Sequence, residues 1–123
     1  MSRQTQNKDL SQKTRVAIIG AGFGGIAMAI RLLQAGIQDF IILEKANDIG
    51  GTWRENQYPG AACDVQSHMY SLSFAAKTNW SKRYAEAPEI FDYIQDLIEQ
   101  FNLKKYIQFN QEVISTTYSE TNF

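Results

Sequence analysis

The chain has 123 residues, enough for one small domain with a core of its own. Hydrophobic residues make up 44% of the chain and charged residues 20%, a balance typical of globular and not of disordered proteins. The net charge of −1 gives no electrostatic case for binding nucleic acid or an anionic membrane, and the single cysteine excludes an internal disulfide.

Residues 1–14 are polar and are predicted to form a mobile arm ahead of one domain over residues 15–123. The arm lacks the apolar stretch of a signal peptide, and no apolar run is long enough to cross a bilayer. We therefore predict a cytoplasmic protein without membrane contact. One histidine and one cysteine are too few for the usual zinc sites, so no metal site is predicted.

The first half of the domain predicts a strand–helix–strand unit. RVAIIG (15–20) is apolar on both faces, as expected of a buried parallel strand, and GAGFGG (20–25) follows it directly. IAMAIRLLQAG (26–36) is rich in helix-forming residues and ends on a glycine, and DFIILE (39–44) is the next strand. The unit spans about 30 residues, the usual size of a βαβ crossover.

The second half is less regular. Residues 54–86 show no sustained period, and a loop of this length in a small domain is usually functional. Residues 88–103 predict a helix with Pro88 in its first position, and residues 106–119 predict a short strand followed by an alternating one. The apolar stripe of that helix consists of Ile90, Phe91, Ile94, Leu97, Ile98 and Phe101.

The glycine-rich segment matches a dinucleotide-binding loop. Gly20 permits a tight turn, Gly22 lets the backbone approach a pyrophosphate, and Gly25 lets the helix pack closely on the sheet. Glu44 ends the second strand 19 residues after Gly25, where a carboxylate accepts hydrogen bonds from ribose hydroxyls. It would repel the extra phosphate of NADP, and Lys45 offsets that repulsion only in part. The alternative is a glycine-rich turn that binds no nucleotide.

A second glycine pair favours FAD over NAD. Gly50 and Gly51 lie six and seven residues beyond Glu44, close enough for their loop to fold over a pyrophosphate and ribityl chain. The longer flavin dinucleotide needs such cover, whereas NAD does not. The alternative is an ordinary loop whose glycines serve only for turning.

Three longer stretches carry a resemblance to a known family. VAIIGAGFGGIAMAIRLLQAG…IILEKANDIGGTW, YPGAACDVQSHMYSLSF and NWSKRYAEAPEIFDYI resemble the N-terminal part of class B flavin monooxygenases. The chain is most similar to Baeyer–Villiger monooxygenases and their flavin-containing monooxygenase relatives, from about Arg15 to about Tyr118. The resemblance implies an α/β fold, namely an incomplete Rossmann-like FAD-binding domain with a parallel sheet in a three-layer arrangement.

The resemblance also implies a reaction. In this family NADPH reduces bound FAD, O₂ adds to give a C4a-peroxyflavin, and the peroxide oxidises a ketone to an ester or lactone or oxygenates a nitrogen or sulfur atom. The small-molecule partners implied are therefore such a substrate and O₂.

Individual site residues follow from the same resemblance. Glu44 binds the ribose, Lys45 lies beside the adenosine, and the backbone of Val113 contacts the adenine. Asp64 is the implied catalytic residue beside the flavin ring, where it orients an arginine. The remaining implied cofactor-binding residues are Gly20, Gly22, Phe23, Gly24 and Gly25 at the pyrophosphate, Gly51, Thr52 and Trp53 along the middle of the flavin, and Tyr70 near its ring.

Two positions leave alternatives open. Asp64 could instead hydrogen-bond its own turn after the YPG sequence. Ala62 stands where many Baeyer–Villiger enzymes have an arginine, whereas related flavin monooxygenases accept a small residue there. Nitrogen or sulfur oxygenation therefore stays open beside Baeyer–Villiger oxidation.

All eight glycines lie at or before Gly60, so a second glycine-rich loop for NADPH is absent. We expect a fragment whose partner is the missing remainder of the enzyme, and which alone is weakly stable, binds FAD poorly and is inactive. The alternative is a stand-alone or vestigial nucleotide-binding module without catalysis. A non-oxygenating flavoprotein would share the first glycine loop but would not explain the YPG and Cys-Asp sequences.

Overall fold

The computed structural model describes residues 13–121, so residues 1–12 of the predicted arm lie outside the described residues. The last two residues of that arm are exposed, and the Thr14 hydroxyl donates a hydrogen bond to Oδ1 of Asp39 at 3.2 Å. The backbone N–H of Arg15 donates to the other carboxylate oxygen of Asp39, also at 3.2 Å. These two bonds anchor the chain where the first strand begins.

The core of the fold is a parallel sheet of three short strands. Strands β1 (Val16–Ile19), β2 (Phe40–Leu43) and β3 (Ile107–Gln108) lie in the order β1-β2-β3, and both pairings are parallel. The predicted strand–helix–strand unit and the Rossmann-like α/β class are therefore confirmed.

Helix α1 (Phe23–Gln34) begins three residues before the predicted start, inside the glycine-rich segment. Glycine has a poor helix propensity, which is why the sequence pattern placed the start later. Tertiary packing decides otherwise. A Cβ on Gly25 would lie 1.9 Å from the carbonyl oxygen of Gly20, so the helix crosses β1 at a distance only glycine allows. The predicted packing role of Gly25 is confirmed, and its place at a pyrophosphate stays a prediction.

Helix α3 (Ala87–Gln100) begins one residue before the prediction, with its proline in the first turn. Most of the predicted stripe is buried, but Phe91 and Phe101 are only partly so, and Tyr93 occupies a core position that the prediction missed. The Tyr93 hydroxyl explains the difference, because it accepts from Leu72 N–H at 3.0 Å and donates to the Ala75 carbonyl at 2.6 Å. A buried tyrosine is stable when its hydroxyl is satisfied in this way.

The two faces of the sheet differ. Ile18 and Ile42 pack into one core with residues of α1 and α3, whereas Ala17 and Ile19 on the opposite face are exposed, Ile19 by 64%. The described residues thus build two layers of the predicted three-layer arrangement. The expectation that the strands are buried on both faces holds for one face only.

Two segments depart from the predicted pattern. The irregular stretch predicted over residues 54–86 begins inside a short helix α2 (Thr52–Glu55), which leaves a long loop over residues 56–86 that contains a 3₁₀ turn (Ser67–Met69). The alternating strand predicted after β3 is not formed: residues 111–119 have no strand assignment, and Ile114 is 89% exposed. Alternation alone does not make a strand, because the backbone also needs a neighbouring strand for its hydrogen bonds.

A second 3₁₀ turn (Lys104–Tyr106) follows α3 and leads into β3. None of the helices within residues 13–121 is long and apolar enough to span a membrane.

Candidate functional site

The glycine-rich loop leaves β1 through a sharp turn. Gly20 has a φ of +96°, a conformation that side-chain-bearing residues rarely adopt, and its N–H donates to the Leu43 carbonyl at 2.8 Å. The turn therefore begins while the chain is still paired with β2, which places the loop at the carboxyl ends of two parallel strands. In open α/β sheets this edge is the usual ligand-binding position.

Glu44 follows β2 directly and is 6% exposed. Its Oε2 accepts from the Ala21 N–H at 2.7 Å, and its Oε1 accepts from the Ala46 N–H at 3.0 Å. A buried carboxylate is stable only when it is paired or hydrogen-bonded, and these two amides meet that need within the chain itself. The predicted acid thus lies against the glycine-rich loop.

The start of α1 offers an anion-binding terminus. Gly22 is the N-cap residue and provides no side-chain hydrogen bond, and the first turn contains no acidic residue. The first N–H groups of an α-helix lack intrahelical acceptors and carry the positive end of the helix dipole. Nothing in the first turn of α1 competes with an incoming phosphate for that charge.

The second glycine pair packs against the first loop. The Gly50 N–H donates to the Ala21 carbonyl at 2.9 Å, and a Cβ on Gly51 would lie 3.3 Å from the Cα of Gly22. Gly50 and Gly51 both have positive φ values, +112° and +53°. The two glycine loops therefore meet, as their spacing predicted. That they enclose a pyrophosphate stays a prediction.

A cleft of about 380 Å³ opens between these loops and the segment after β3. It gathers six of the residues that the sequence analysis assigned to cofactor binding, namely Gly20, Gly22, Glu44, Lys45, Gly51 and Val113. Sequence reasoning missed five other lining residues: Ile19, Leu43, Glu55, Gln111 and Glu112. Pairing brings the last two here, because the Gln111 N–H donates to the Glu44 carbonyl at 2.9 Å.

A cluster of aromatic side chains lies beyond the helix start. The Trp53 indole N–H donates to the Tyr70 hydroxyl at 2.9 Å, and the rings of Phe23 and Tyr70 meet edge to face with centroids 5.5 Å apart. Burial raises the pKa of Tyr70, while the Trp53 hydrogen bond opposes that shift and Cys63 and Asp64 add to it. Two implied flavin contacts, Trp53 and Tyr70, thus touch one another and lie beside Phe23, which was assigned to the pyrophosphate. Thr52 is exposed at the start of α2.

Asp64 is exposed, and within residues 13–121 its carboxylate has no hydrogen-bond partner. The turn is held by its neighbours, because the Cys63 N–H donates to the Ala85 carbonyl at 2.8 Å and the Val65 N–H donates to the Cys63 sulfur at 3.4 Å. The alternative in which Asp64 bonds its own turn is not seen. The charge of Asp64 makes a small contribution to the raised pKa of Tyr70, and Asp64 does not line the cleft.

The space around Gly22 and Gly24 bears on whether a dinucleotide fits the loop. A Cβ on Gly24 would meet nothing within 4 Å, and a Cβ on Gly22 would meet only the Cα of Gly51, at an ordinary 3.8 Å. Neither residue has a positive φ. The fold therefore does not require glycine at these two positions, whereas the close approach of a diphosphate does. Within the described residues no cluster of potential metal ligands is present.

Comparisons with known proteins agree with this geometry. A family model described as NAD(P)-binding Rossmann-like domain matches residues 18–97. A Baeyer–Villiger monooxygenase of Pseudomonas aeruginosa is 49% identical over 106 residues, which is 86% of this chain and 20% of that protein. The chain thus spans about a fifth of the length of this curated relative.

Solved structures give the same result. An ε-caprolactone-bound cyclohexanone monooxygenase superposes with a TM-score of 0.81 at 36% identity, covering 88% of this chain and 22% of that one. OTEMO in complex with FAD and NADP superposes with a TM-score of 0.79 at 30% identity, covering 89% and 22%. The resemblance to flavin monooxygenases is confirmed. The similar proteins include Baeyer–Villiger monooxygenases, although this chain has Ala62 where many of those enzymes have an arginine.

Proposed function

Because the chain belongs to the NAD(P)-binding Rossmann-like domain family, we propose that it binds FAD and forms the FAD-binding part of an NADPH- and O₂-dependent flavin monooxygenase. The observation that carries the proposal is the pair of glycines, Gly22 and Gly24, that the fold leaves free to be larger. Both stand at the uncapped start of α1, beside a cleft that ends on a buried carboxylate. Two phosphates and a ribose match these features in order.

FAD is favoured over NAD and NADP by three features. The two glycine loops are in contact, which extends the binding surface past the pyrophosphate towards Trp53 and Tyr70. The cleft contains three carboxylates, those of Glu44, Glu55 and Glu112, and they oppose a 2′-phosphate. The similar structure OTEMO contains both FAD and NADP, and the similar protein moxY of Dothistroma septosporum is named an FAD-binding monooxygenase.

We assign the adenosine half of the cofactor to the cleft and the flavin half to the aromatic cluster. Glu44 has unused acceptor capacity for ribose hydroxyls, and Lys45 and the backbone at Val113 lie at the adenosine end. Gly20, Gly25 and Gly51 shape the loops around the diphosphate. Thr52 and Trp53 lie at the start of α2 next to Gly51, and the rings of Phe23 and Tyr70 extend this surface towards the flavin.

Bound FAD would accept a hydride from NADPH and activate O₂ for oxygenation of a small molecule. Baeyer–Villiger oxidation of a ketone is the proposed reaction, because the similar proteins include Baeyer–Villiger and cyclohexanone monooxygenases. Oxygenation at nitrogen or sulfur is the alternative reaction, and an activity assay with both kinds of substrate distinguishes the two. Asp64 would hold a cationic side chain beside the flavin ring, because its exposed carboxylate is available for an ion pair.

The proposal is tested by fluorescence titration of the 123-residue protein with FAD. FAD should bind at least about tenfold more tightly than NADP, a difference of about 1.4 kcal/mol. Gly22→Ala should weaken FAD binding by about tenfold or more while its melting temperature without FAD stays close to that of the wild type. Equal affinities of the two proteins for FAD would refute the assigned site.

We further propose that this chain alone binds FAD with a dissociation constant above about 1 µM and does not turn over NADPH. Two features support this: one face of the sheet is exposed, and the chain covers 22% of the similar FAD-bound OTEMO. We infer that other parts of such a protein complete the flavin site. NADPH oxidation by the purified chain with FAD, followed at 340 nm, is the test, and steady turnover would contradict the proposal.

A further inference from the structure

The acid of the cleft is already engaged in the protein without a nucleotide. Both oxygens of the Glu44 carboxylate accept a backbone N–H, one from Ala21 in the glycine-rich loop and one from Ala46 in the turn after β2. Glu44 is one of two buried polar residues in the described chain, and Ala21 has no exposed surface. The bond to Ala21 therefore lies in the protein interior, where charge-assisted bonds are strong, and the bond to Ala46 is partly buried.

These bonds connect the three segments that line the cleft. Ala21 belongs to the first glycine loop, and its carbonyl accepts from Gly50 of the second at 2.9 Å. Ala46 accepts in turn from the Asn110 N–H at 2.9 Å, which belongs to the segment after β3. Hydrogen bonds thus link the carboxylate of Glu44, through Ala21 and Ala46, to each of these segments.

We propose that Glu44 is a positioning residue that fixes the glycine-rich loop in its ligand-ready conformation before any nucleotide arrives. A carboxylate has about four acceptor sites, and Glu44 has used one on each oxygen. The remaining sites leave it available for the ribose of the proposed function, on which the positioning role does not depend.

The positioning role is tested by amide hydrogen exchange, measured by NMR without added nucleotide. In the wild type the Ala21 N–H should exchange at least about tenfold more slowly than the N–H groups of Phe23 and Gly24 at the helix start, which lack intrahelical acceptors. Glu44→Gln should raise the exchange rate of Ala21 or Ala46 by about tenfold, because a carboxamide has one acceptor oxygen and cannot accept from both amides.

Glu112→Gln is the matched control. Glu112 lines the same cleft and is exposed, so its substitution removes the same charge without touching the two hydrogen bonds. It should leave the exchange of Ala21 and Ala46 unchanged. The proposal would be overturned if the exchange rates of Ala21 and Ala46 stay unchanged in Glu44→Gln. It would also be overturned if these rates rise as much in Glu112→Gln as in Glu44→Gln.

If Glu44→Gln does not fold, the wild-type comparison decides alone: an Ala21 N–H that exchanges as fast as that of Gly24 rules out the positioning role. Failure of this proposal is distinguishable from failure of FAD binding. The exchange experiment contains no nucleotide, whereas the titration depends on FAD affinity only.

Discussion

The cleft and the long loop over residues 56–86 differ in the side chains that stabilise them. In the cleft, backbone amides and the Glu44 carboxylate bind the loops directly at the ends of paired strands. In the long loop, backbone bonds such as that from the Ser67 N–H to the Arg83 carbonyl are joined by hydroxyl groups: Ser67 Oγ donates to the Lys82 carbonyl at 2.6 Å, and Tyr93 bridges Leu72 and Ala75. We therefore expect the cleft to be most sensitive to a change at a closely packed glycine, and the loop to the loss of a bridging hydroxyl.

The largest effect is expected at the base of the cleft, from Gly25→Ala. Its Cβ would collide with the Gly20 carbonyl oxygen at 1.9 Å, and backbone cannot move aside as a side chain can. We expect a loss of about 3 kcal/mol or more in the free energy of unfolding, measured by urea denaturation.

Gly24→Ala is the control for this prediction. It stands one residue away in the same helix, where a Cβ meets nothing within 4 Å, so unfolding should become more costly by up to about 1 kcal/mol. Similar destabilisation by both substitutions would mean that close packing of α1 on β1 is not the cause.

The long loop should lose stability when the hydroxyl of Tyr93 is removed. Tyr93→Phe leaves the Leu72 N–H and the Ala75 carbonyl without their partner, and we expect a loss of about 1–3 kcal/mol in unfolding free energy. Tyr106→Phe should change stability by less than about 0.5 kcal/mol, because that hydroxyl has no hydrogen bond within residues 13–121. Limited proteolysis of the loop checks the location: cleavage within residues 56–86 should accelerate in the first variant alone.

Alkaline pH should destabilise the region of the long loop, through Tyr93 and Tyr70. Burial raises the pKa of Tyr93 and of Tyr70, while hydrogen bonds from the Leu72 N–H and from Trp53, respectively, oppose the shift. A raised folded-state pKa contributes stability that is complete below the ordinary value of 10.0 and is lost as pH rises through the higher value. Urea midpoints should fall above pH 10, and they should fall less steeply in Tyr93→Phe.

The smallest effect is expected at the exposed end of the loop. Hydrogen bonds from the side chain and the backbone N–H of Ser81 lower the pKa of Glu89, but the carboxylate is largely solvated. Ser81→Ala should cost less than about 0.5 kcal/mol at neutral pH. The lowered pKa gives stability that is present above the unfolded value and is lost on acidification, so the difference between variant and wild type should vanish in acid. A larger cost would show that the loop depends on this end.

Much of the cleft could be predicted because its chemistry is local in sequence. The turn at Gly20, the packing of Gly25 and the acid after β2 each follow from short spacings, since a parallel strand pair and one helix fix where they lie. Glu112 and Gln111 could not be found this way, because only the pairing of β3 with β2 brings them to the cleft.

The amino-acid pattern was enough to predict the βαβ unit, the positions of its glycines and the resemblance to flavin monooxygenases. Three features appear only in the folded chain: α1 begins at Phe23, Tyr93 is a core residue, and residues 111–119 form no strand. The hydrogen bond from the Ala21 N–H to Glu44 is a fourth. All four depend on hydrogen-bond partners and close contacts between segments far apart in sequence, whereas propensity and periodicity describe only neighbours along the chain.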